Sequence, residues 1–368
     1  MKKVGFVGWR GMVGQVLMER LEQEGDLKQF KPFYFSTSQA GEKGPDGLTL
    51  KSAVSLADLQ DMDIIVTCQG GEWTKEWHPQ LRSQGWRGHW IDASSALRMD
   101  EKACLILDPV NQNVIDQFRE HGCLDWVGAN CTVSLMLMSI YPLLPHLEWI
   151  SSMTYQAASG AGAQQMKEFM QQMSAYHQAL QSADGKENFQ HLTALEMEKK
   201  LRELTTTSFF PKDSLGYPLA ANVLPWIDSA LPSGQSREEW KAMVEAQKIC
   251  GFQSPLPIDG TCVRVGAFRS HSQALTLKFK KALPLQQIEE LLQDSKSPVK
   301  KWLRFVPNTK EKTLESLTPM SVAGSLDIAI GRLRPMTLGK DFVNAFTCGD
   351  QLLWGAAEPL RRMLKQLL

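Results

Sequence analysis

Cys131 stands where a thiol can do covalent chemistry. It follows a short, mostly apolar run, 123–127, and a turn of small residues at Gly128 and Ala129. After it, the apolar segment 132–144 reads as a buried helix. The pattern therefore predicts Cys131 at a helix N-terminus, where unpaired backbone N–H groups and the positive end of the helix dipole favour an anion. Such a place draws a thiol down from its ordinary pKa of about 8.5. Thiolate is the nucleophilic form, and its use is covalent catalysis. Most free cysteines are instead small buried hydrophobes, and on these residues alone that alternative carries more weight.

A second constellation opens the chain. Gly8, Gly11 and Gly14 follow a strand pattern at 3–7 and precede a helical pattern at 15–24. Strand, spaced glycines and helix form the context of a dinucleotide-binding loop, here spaced G-x-x-G-x-x-G. Glycines let the backbone approach a pyrophosphate, which rests on the helix N-terminus. The next strand, 32–35, ends in Ser36-Thr37-Ser38-Gln39, near where an NAD site carries Asp or Glu. Hydroxyls there, with Arg10 inside the glycine loop, suit a ribose 2′-phosphate, so NADP is expected over NAD. Glu42 is the nearby acidic alternative.

Other charged residues have simpler readings when taken singly. Arg98 follows a strand end, in a loop with Ser94 and Ser95. Such an arginine is ordinarily solvated, but beside a phosphate it becomes an anion clamp. Glu238 and Lys241 follow Ser236, an expected helix N-cap, and share a helix face as a solvated ion pair. Arg264 and His271 both stand in the β-like run 261–280.

These residues need elements to position them. Strands at 63–67, 89–92 and 103–107 alternate with helical patterns at 74–84 and 113–120, with Pro79 breaking or kinking the former. That alternation predicts an α/β, Rossmann-like first domain. The later part reads as α+β with an antiparallel-rich or mixed sheet: strands at 149–157, 328–333 and 342–348, helices at 164–180, 194–203 and 284–293, and loops around Gly185 and 208–217. The last segment, 350–367, reads as a helix that returns to the first domain.

Bulk properties narrow the function. The 368 residues are 43% hydrophobic and 22% charged, and the 40 basic residues balance 40 acidic ones. Two domains follow from the length. Balanced charge leaves no footprint for nucleic acid or an anionic membrane, so a small molecule is the expected partner. Seven scattered cysteines with no C-x-x-C argue against a disulfide framework or a metal knuckle, and for a reducing cytoplasm. No run reaches the roughly 18 apolar residues of a membrane span.

The chain resembles the aspartate-β-semialdehyde dehydrogenase family, in the form found in Gram-negative bacteria. The resemblance rests on VGFVGWRGMVG at 4–14, the Cys131 stretch at 127–136, TYQAASG at 154–160, and the stretches 234–241, 262–271 and 349–362. It implies reductive dephosphorylation of L-4-aspartyl phosphate to L-aspartate 4-semialdehyde with NADPH, in lysine, threonine and methionine biosynthesis. By that resemblance Cys131 forms an acyl thioester and His271 is the acid/base residue. Gln156, Glu238 and Arg264 bind substrate, and Arg98 and Lys241 bind phosphate. Arg10, Gly11, Met12, Val13, Thr37, Ser38, Gln69, Ser159, Gly160, Ala161, Gly162, Ala163 and Gln351 contact NADP. The implied organisation is a cofactor domain of residues 1–130 with 350–368, and a catalytic and dimerisation domain of 131–349 in a homodimer. The alternatives are another acyl-phosphate reductase, acting on N-acetylglutamyl or glyceraldehyde phosphate, and a non-catalytic NADP-binding paralogue. Ala129 and Ala161 depart from the glycines that close relatives often carry. Either costs about 1 kcal/mol if its position needs φ > 0.

Overall fold

Short, continuous apolar runs build the first sheet. The strands β1 (Lys3–Val7), β2 (Lys31–Ser36), β3 (Lys51–Ser52), β4 (Ile64–Thr67), β5 (His89–Asp92), β6 (Ala103–Ile106) and β7 (Asp125–Gly128) pair in the order β3-β2-β1-β4-β5-β7-β6. All of these pairings are parallel. β4 and β6 are buried along their whole length, as a parallel sheet covered by helices on both faces requires. The computed structural model describes residues 1–181 and 191–368, so the loop expected around Gly185 lies outside the described residues.

The second sheet is mixed. Its strands are β8 (Leu147–Gln156), β9 (Val223–Leu224), β10 (Ile258–Asp259), β11 (Cys262–Val265), β12 (Ser270–Phe279), β13 (Leu303–Phe305), β14 (Ile328–Met336) and β15 (Gly339–Asp350). They run in the order β13-β14-β15-β12-β8-β11-β9, with β10 also beside β8. The long central pairs are antiparallel, whereas β8 runs parallel to β10 and β11, and β13 parallel to β14. β8 alternates buried Ile150, Ser152, Thr154 and Gln156 with exposed Met153 and Tyr155, so one face meets the core. The β-like run 261–280 is not one strand. It divides into β11 and β12, and Gly266 to Arg269 make the turn between them.

Three other expectations change in detail. The helix Gly71–Ser83 runs through Pro79 unbroken. Pro79 is exposed, and so is Lys75, whose carbonyl loses its helical donor to the proline and can turn to water. The Cys131–Ile140 helix stops short of 144, because Pro142 and Pro145 divert the chain into the 3-10 turn Tyr141–His146. The closing segment is a π-helical turn, Leu353–Ala357, followed by the helix Glu358–Leu367.

That helix packs into the first sheet's core. Leu360, Met363, Leu364 and Leu367 join one apolar cluster with Val4, Phe6, Leu17, Leu21 and Trp126. Arg361 pairs with Asp26 at 2.5 Å and Glu358 at 2.9 Å, and Arg362 with Asp108 at 2.5 Å. Among the described residues no helix is long and apolar enough to cross a membrane.

Candidate active site

The helix Cys131–Ile140 begins at the thiol because Asn130 caps it. Asn130 Oδ1 accepts from the N–H groups of Thr132 (2.9 Å) and Val133 (3.2 Å). This leaves Cys131 on the first helical residue, facing the ends of β8, β11 and β12. Register does the rest. Arg264 on β11 is the partner of Gln156 on β8, so both side chains share one face. On β12, Ser272 pairs with Tyr155, which sets His271 beside Gln156.

His271 Nε2 lies 3.2 Å from Cys131 Sγ. Its Nδ1 accepts the Ala157 N–H at 3.0 Å. A ring that accepts at Nδ1 carries its proton on Nε2, so His271 donates toward sulfur. Burial and the Arg264 guanidinium hold His271 well below its ordinary 6.5, and it stays neutral. The Ala157 carbonyl accepts from Arg264 NH1 at 2.8 Å. One residue's backbone thus orients both side chains. Gly160 follows from the same crowding: a Cβ there would lie 2.8 Å from Arg264 NH1 and 2.9 Å from His271 Cε1.

Glu238 and Lys241 do form a pair, at 3.0 Å, but both are buried rather than solvated. The helix Arg237–Cys250 is capped by Ser236, and its inward face points at the Cys131 turn. Glu238 Oε1 accepts from Asn130 Nδ2 (2.9 Å) and Gln156 Nε2 (3.3 Å). Burial pushes its pKa up, but Lys241 and those hydrogen bonds outweigh it and leave the carboxyl below its usual range. Burial likewise lowers Lys241, yet Glu238 and Asp228, the latter at 2.7 Å, hold it above the ordinary lysine value.

Arg98 is not a solvated loop arginine. Its guanidinium donates to the carbonyls of Gly128 (2.8 Å) and Ala129 (3.2 Å) and to Glu245 (3.1 Å). The thiol also departs from expectation. Burial, then the Glu238 carboxylate, push Cys131 up to about 12, against Arg98, Arg264 and Lys241. Enclosure of the sulfur outweighs its three cations.

A cavity of about 450 Å³ joins these groups. Met12, Val13, Ser159, Gly160, Ala161, Gly162, Gln351, Arg98, Cys131, Gln156, Glu238, Lys241 and Arg264 line it. Gln351 Nε2 donates to Ser159 Oγ at 2.8 Å. Arg10 is not on this wall; its NH2 donates to Ser36 Oγ at 2.8 Å at the end of β2, with Thr37 and Ser38 exposed beyond. Gln69 follows β4 and packs against the glycine loop, where a Cβ on Gly8 would meet its backbone N at 2.5 Å. Gly11 caps the first helix, and Ala163 starts the helix Ala163–Leu180. Ala129 and Ala161 both have negative φ, so their methyl groups bring no strain. Gly162, at φ 125, makes the turn.

Five residues here have no role of their own in the sequence pattern. Asn130 had a signal, an Asn directly before an apolar helical run. Ser36 was seen only as part of a hydroxyl cluster. Glu245, Asp228 and Gly355 had none. Gly355 packs on the nucleophile, since a Cβ there would come 2.6 Å from the Cβ of Cys131. Among the described residues no group of three or more His, Cys, Asp or Glu is placed to hold a metal ion.

Two family models match this chain: the semialdehyde dehydrogenase NAD binding domain over residues 3–118, and the semialdehyde dehydrogenase dimerisation domain over 140–354. The chain belongs to the semialdehyde dehydrogenase family. Among solved members of this family, the aspartate semialdehyde dehydrogenase of Francisella tularensis is 46% identical over 100% of both chains, with a TM-score of 0.95. More distant structures share the semialdehyde dehydrogenase fold. Aspartate semialdehyde dehydrogenase II of Vibrio cholerae, complexed with ASA, is 22% identical over 100% of this chain and 98% of its own, with a TM-score of 0.78. The Candida albicans enzyme with NADP is 14% identical over 100% of both chains, with a TM-score of 0.65.

Proposed function

We propose that this semialdehyde dehydrogenase is an aspartate-semialdehyde dehydrogenase, reducing L-4-aspartyl phosphate to L-aspartate 4-semialdehyde, with Cys131 as the covalent nucleophile. The observation that carries this is the Cys131–His271 contact at 3.2 Å, with Cys131 on the wall of a cavity that Arg264, Glu238 and Lys241 also line and His271 buried behind it. Arg264 is the clamp for the substrate α-carboxylate and Glu238 receives its α-ammonium. Gln156 steadies the acyl group. Lys241, with the uncommitted part of the Arg98 fork, takes the phosphate. Cys131 gives its thiol proton to His271, its sulfur attacks the acyl carbon, phosphate leaves with the bonding electrons, and the acyl group remains as a thioester. An ammonium brought to Glu238 offsets the second of the two causes that disfavour thiolate, after burial, so substrate itself helps to activate the nucleophile. His271 is the acid/base residue. At rest its Nε2–H points at the protonated sulfur, so proton uptake at Nε2 requires the ring to carry its own proton on Nδ1 and release Ala157.

The glycine loop fits a dinucleotide. A Cβ on Gly14 would lie 2.3 Å from Gly8 O, so only glycines permit this tight cradle. Arg10, with Ser36, Thr37 and Ser38 at the end of β2, suits a 2′-phosphate, and Met12, Val13, Gln69, Gln351 and the 159–163 turn would hold the rest. When bound, NADPH supplies hydride to the thioester carbon. We assign residues 1–130 with 350–368 to cofactor binding and 131–349 to catalysis and to the homodimer contact. Seven free cysteines accord with a cytoplasmic enzyme.

The test is the reverse assay, with semialdehyde, NADP and phosphate omitted in turn while NADPH absorbance is followed. Strict dependence on all three is expected, as is loss of turnover in Cys131→Ala with NADP affinity retained. Turnover without phosphate, or full activity in the alanine variant, would refute the thioester route.

A further inference from the structure

We infer that Glu245 is a positioning residue for this reaction, holding the nucleophile's turn and the phosphate-side arginine in register through one buried carboxylate. The inference rests on the roles proposed for Cys131 and Arg98. Glu245 is 1% exposed and lies on the helix Arg237–Cys250, on the face that carries Glu238 and Lys241. Its two oxygens divide their work. Oε1 meets Arg98 NH1 at 3.1 Å, and Oε2 accepts the Asn130 backbone N–H at 2.6 Å. Arg98 in turn grips the carbonyls of Gly128 and Ala129. The turn before Cys131 is therefore held by its carbonyls through Arg98 and by its next N–H through Glu245. Asn130, fixed in this way, caps the helix that begins at the thiol.

A buried ion pair is a weak source of stability, because desolvation offsets its attraction. What a carboxylate and a guanidinium fork supply is direction. An apolar pair could fill the same space but could not orient the turn. Catalysis is sensitive to this, since a displacement of about 1 Å can cost on the order of 10²-fold in rate.

The experiment uses the full-length chain in the reverse assay. Phosphate-dependent turnover by the wild type tests the proposed function by itself, and its absence would refute that function whatever Glu245 does. Given an active wild type, Glu245→Gln is expected to lower kcat by about tenfold or more and raise the phosphate KM about fivefold, with NADP affinity within about twofold. In an Arg98→Gln background the same change is expected to cost under about threefold, because the two residues act as a unit. A folded Glu245→Gln enzyme with wild-type kcat and phosphate KM, or fully additive losses in the double variant, would overturn the inference. Should Glu245→Gln not fold, Glu245→Asp keeps the charge but cannot span both partners, and the same kinetic split is expected. Wild-type kinetics in that variant, or failure of both to fold by circular dichroism, would reduce Glu245 to a purely structural residue.

Discussion

Charges of both signs surround Cys131, and their balance sets its reactivity. At about 12, the thiol is protonated near neutrality, with burial the largest cause and Glu238 the next. The sign for a Glu238→Gln variant follows directly. Removing a negative charge favours the thiolate, lowers the thiol pKa and raises the thiolate fraction at any pH below it. The thiolate fraction rises about tenfold for each unit of lowering, and because a less basic thiolate is a weaker nucleophile, alkylation of Cys131 by iodoacetamide at pH 8, located by mass spectrometry, is expected to quicken about threefold per unit. The semialdehyde KM should rise in the same variant, because the ammonium loses its partner. An unchanged or slower alkylation would remove the electrostatic role given to Glu238.

At the scale of elements, the turn after β8 does the aligning. Ala157 gives its N–H to His271 and its carbonyl to Arg264, and Gly160 leaves room for both side chains. Gly160→Ala forces its methyl against Arg264 and His271 without demanding a new backbone conformation, since φ at Gly160 is not positive. A fall in kcat/KM of about 10²-fold is expected. Steady-state rates within about threefold of wild type would show that the turn tolerates the methyl. Almost none of this alignment was legible, because backbone atoms carry no residue signature. His271 by itself was one histidine of seven, and it stood out only through the resemblance of its surroundings.

For the whole molecule, the closing helix ties the chain's last residues to its first sheet. Leu360 is fully buried there, and its Cδ2 lies 3.7 Å from where a Cβ on Gly128 would stand. The helix therefore also backs the turn that leads to Cys131. Leu360→Ala is expected to cost about 2–5 kcal/mol of stability, measured by urea unfolding at fixed protein concentration. A loss well under about 1 kcal/mol would mean that this contact is not holding the helix.

The sequence by itself determined the parallel first sheet, the glycine loop and the capped starts of helices. Each is set by neighbours within a turn or two: apolar runs, small residues, an oxygen before a helix. It also held enough ordered motifs to mark a family. Only the tertiary structure decided the state of the charged residues. Glu238 with Lys241 reads locally as a solvated pair until Asn130 and Gln156 of β8 close on Glu238, and Arg98 as a solvated loop cation until Glu245 of the Arg237–Cys250 helix meets it. Whether a thiol is drawn down or pushed up depends on what encloses it, and residues from 98 to 264 set the charge around Cys131. Burial and distance-dependent electrostatics are sums over that enclosure, and no local pattern contains them.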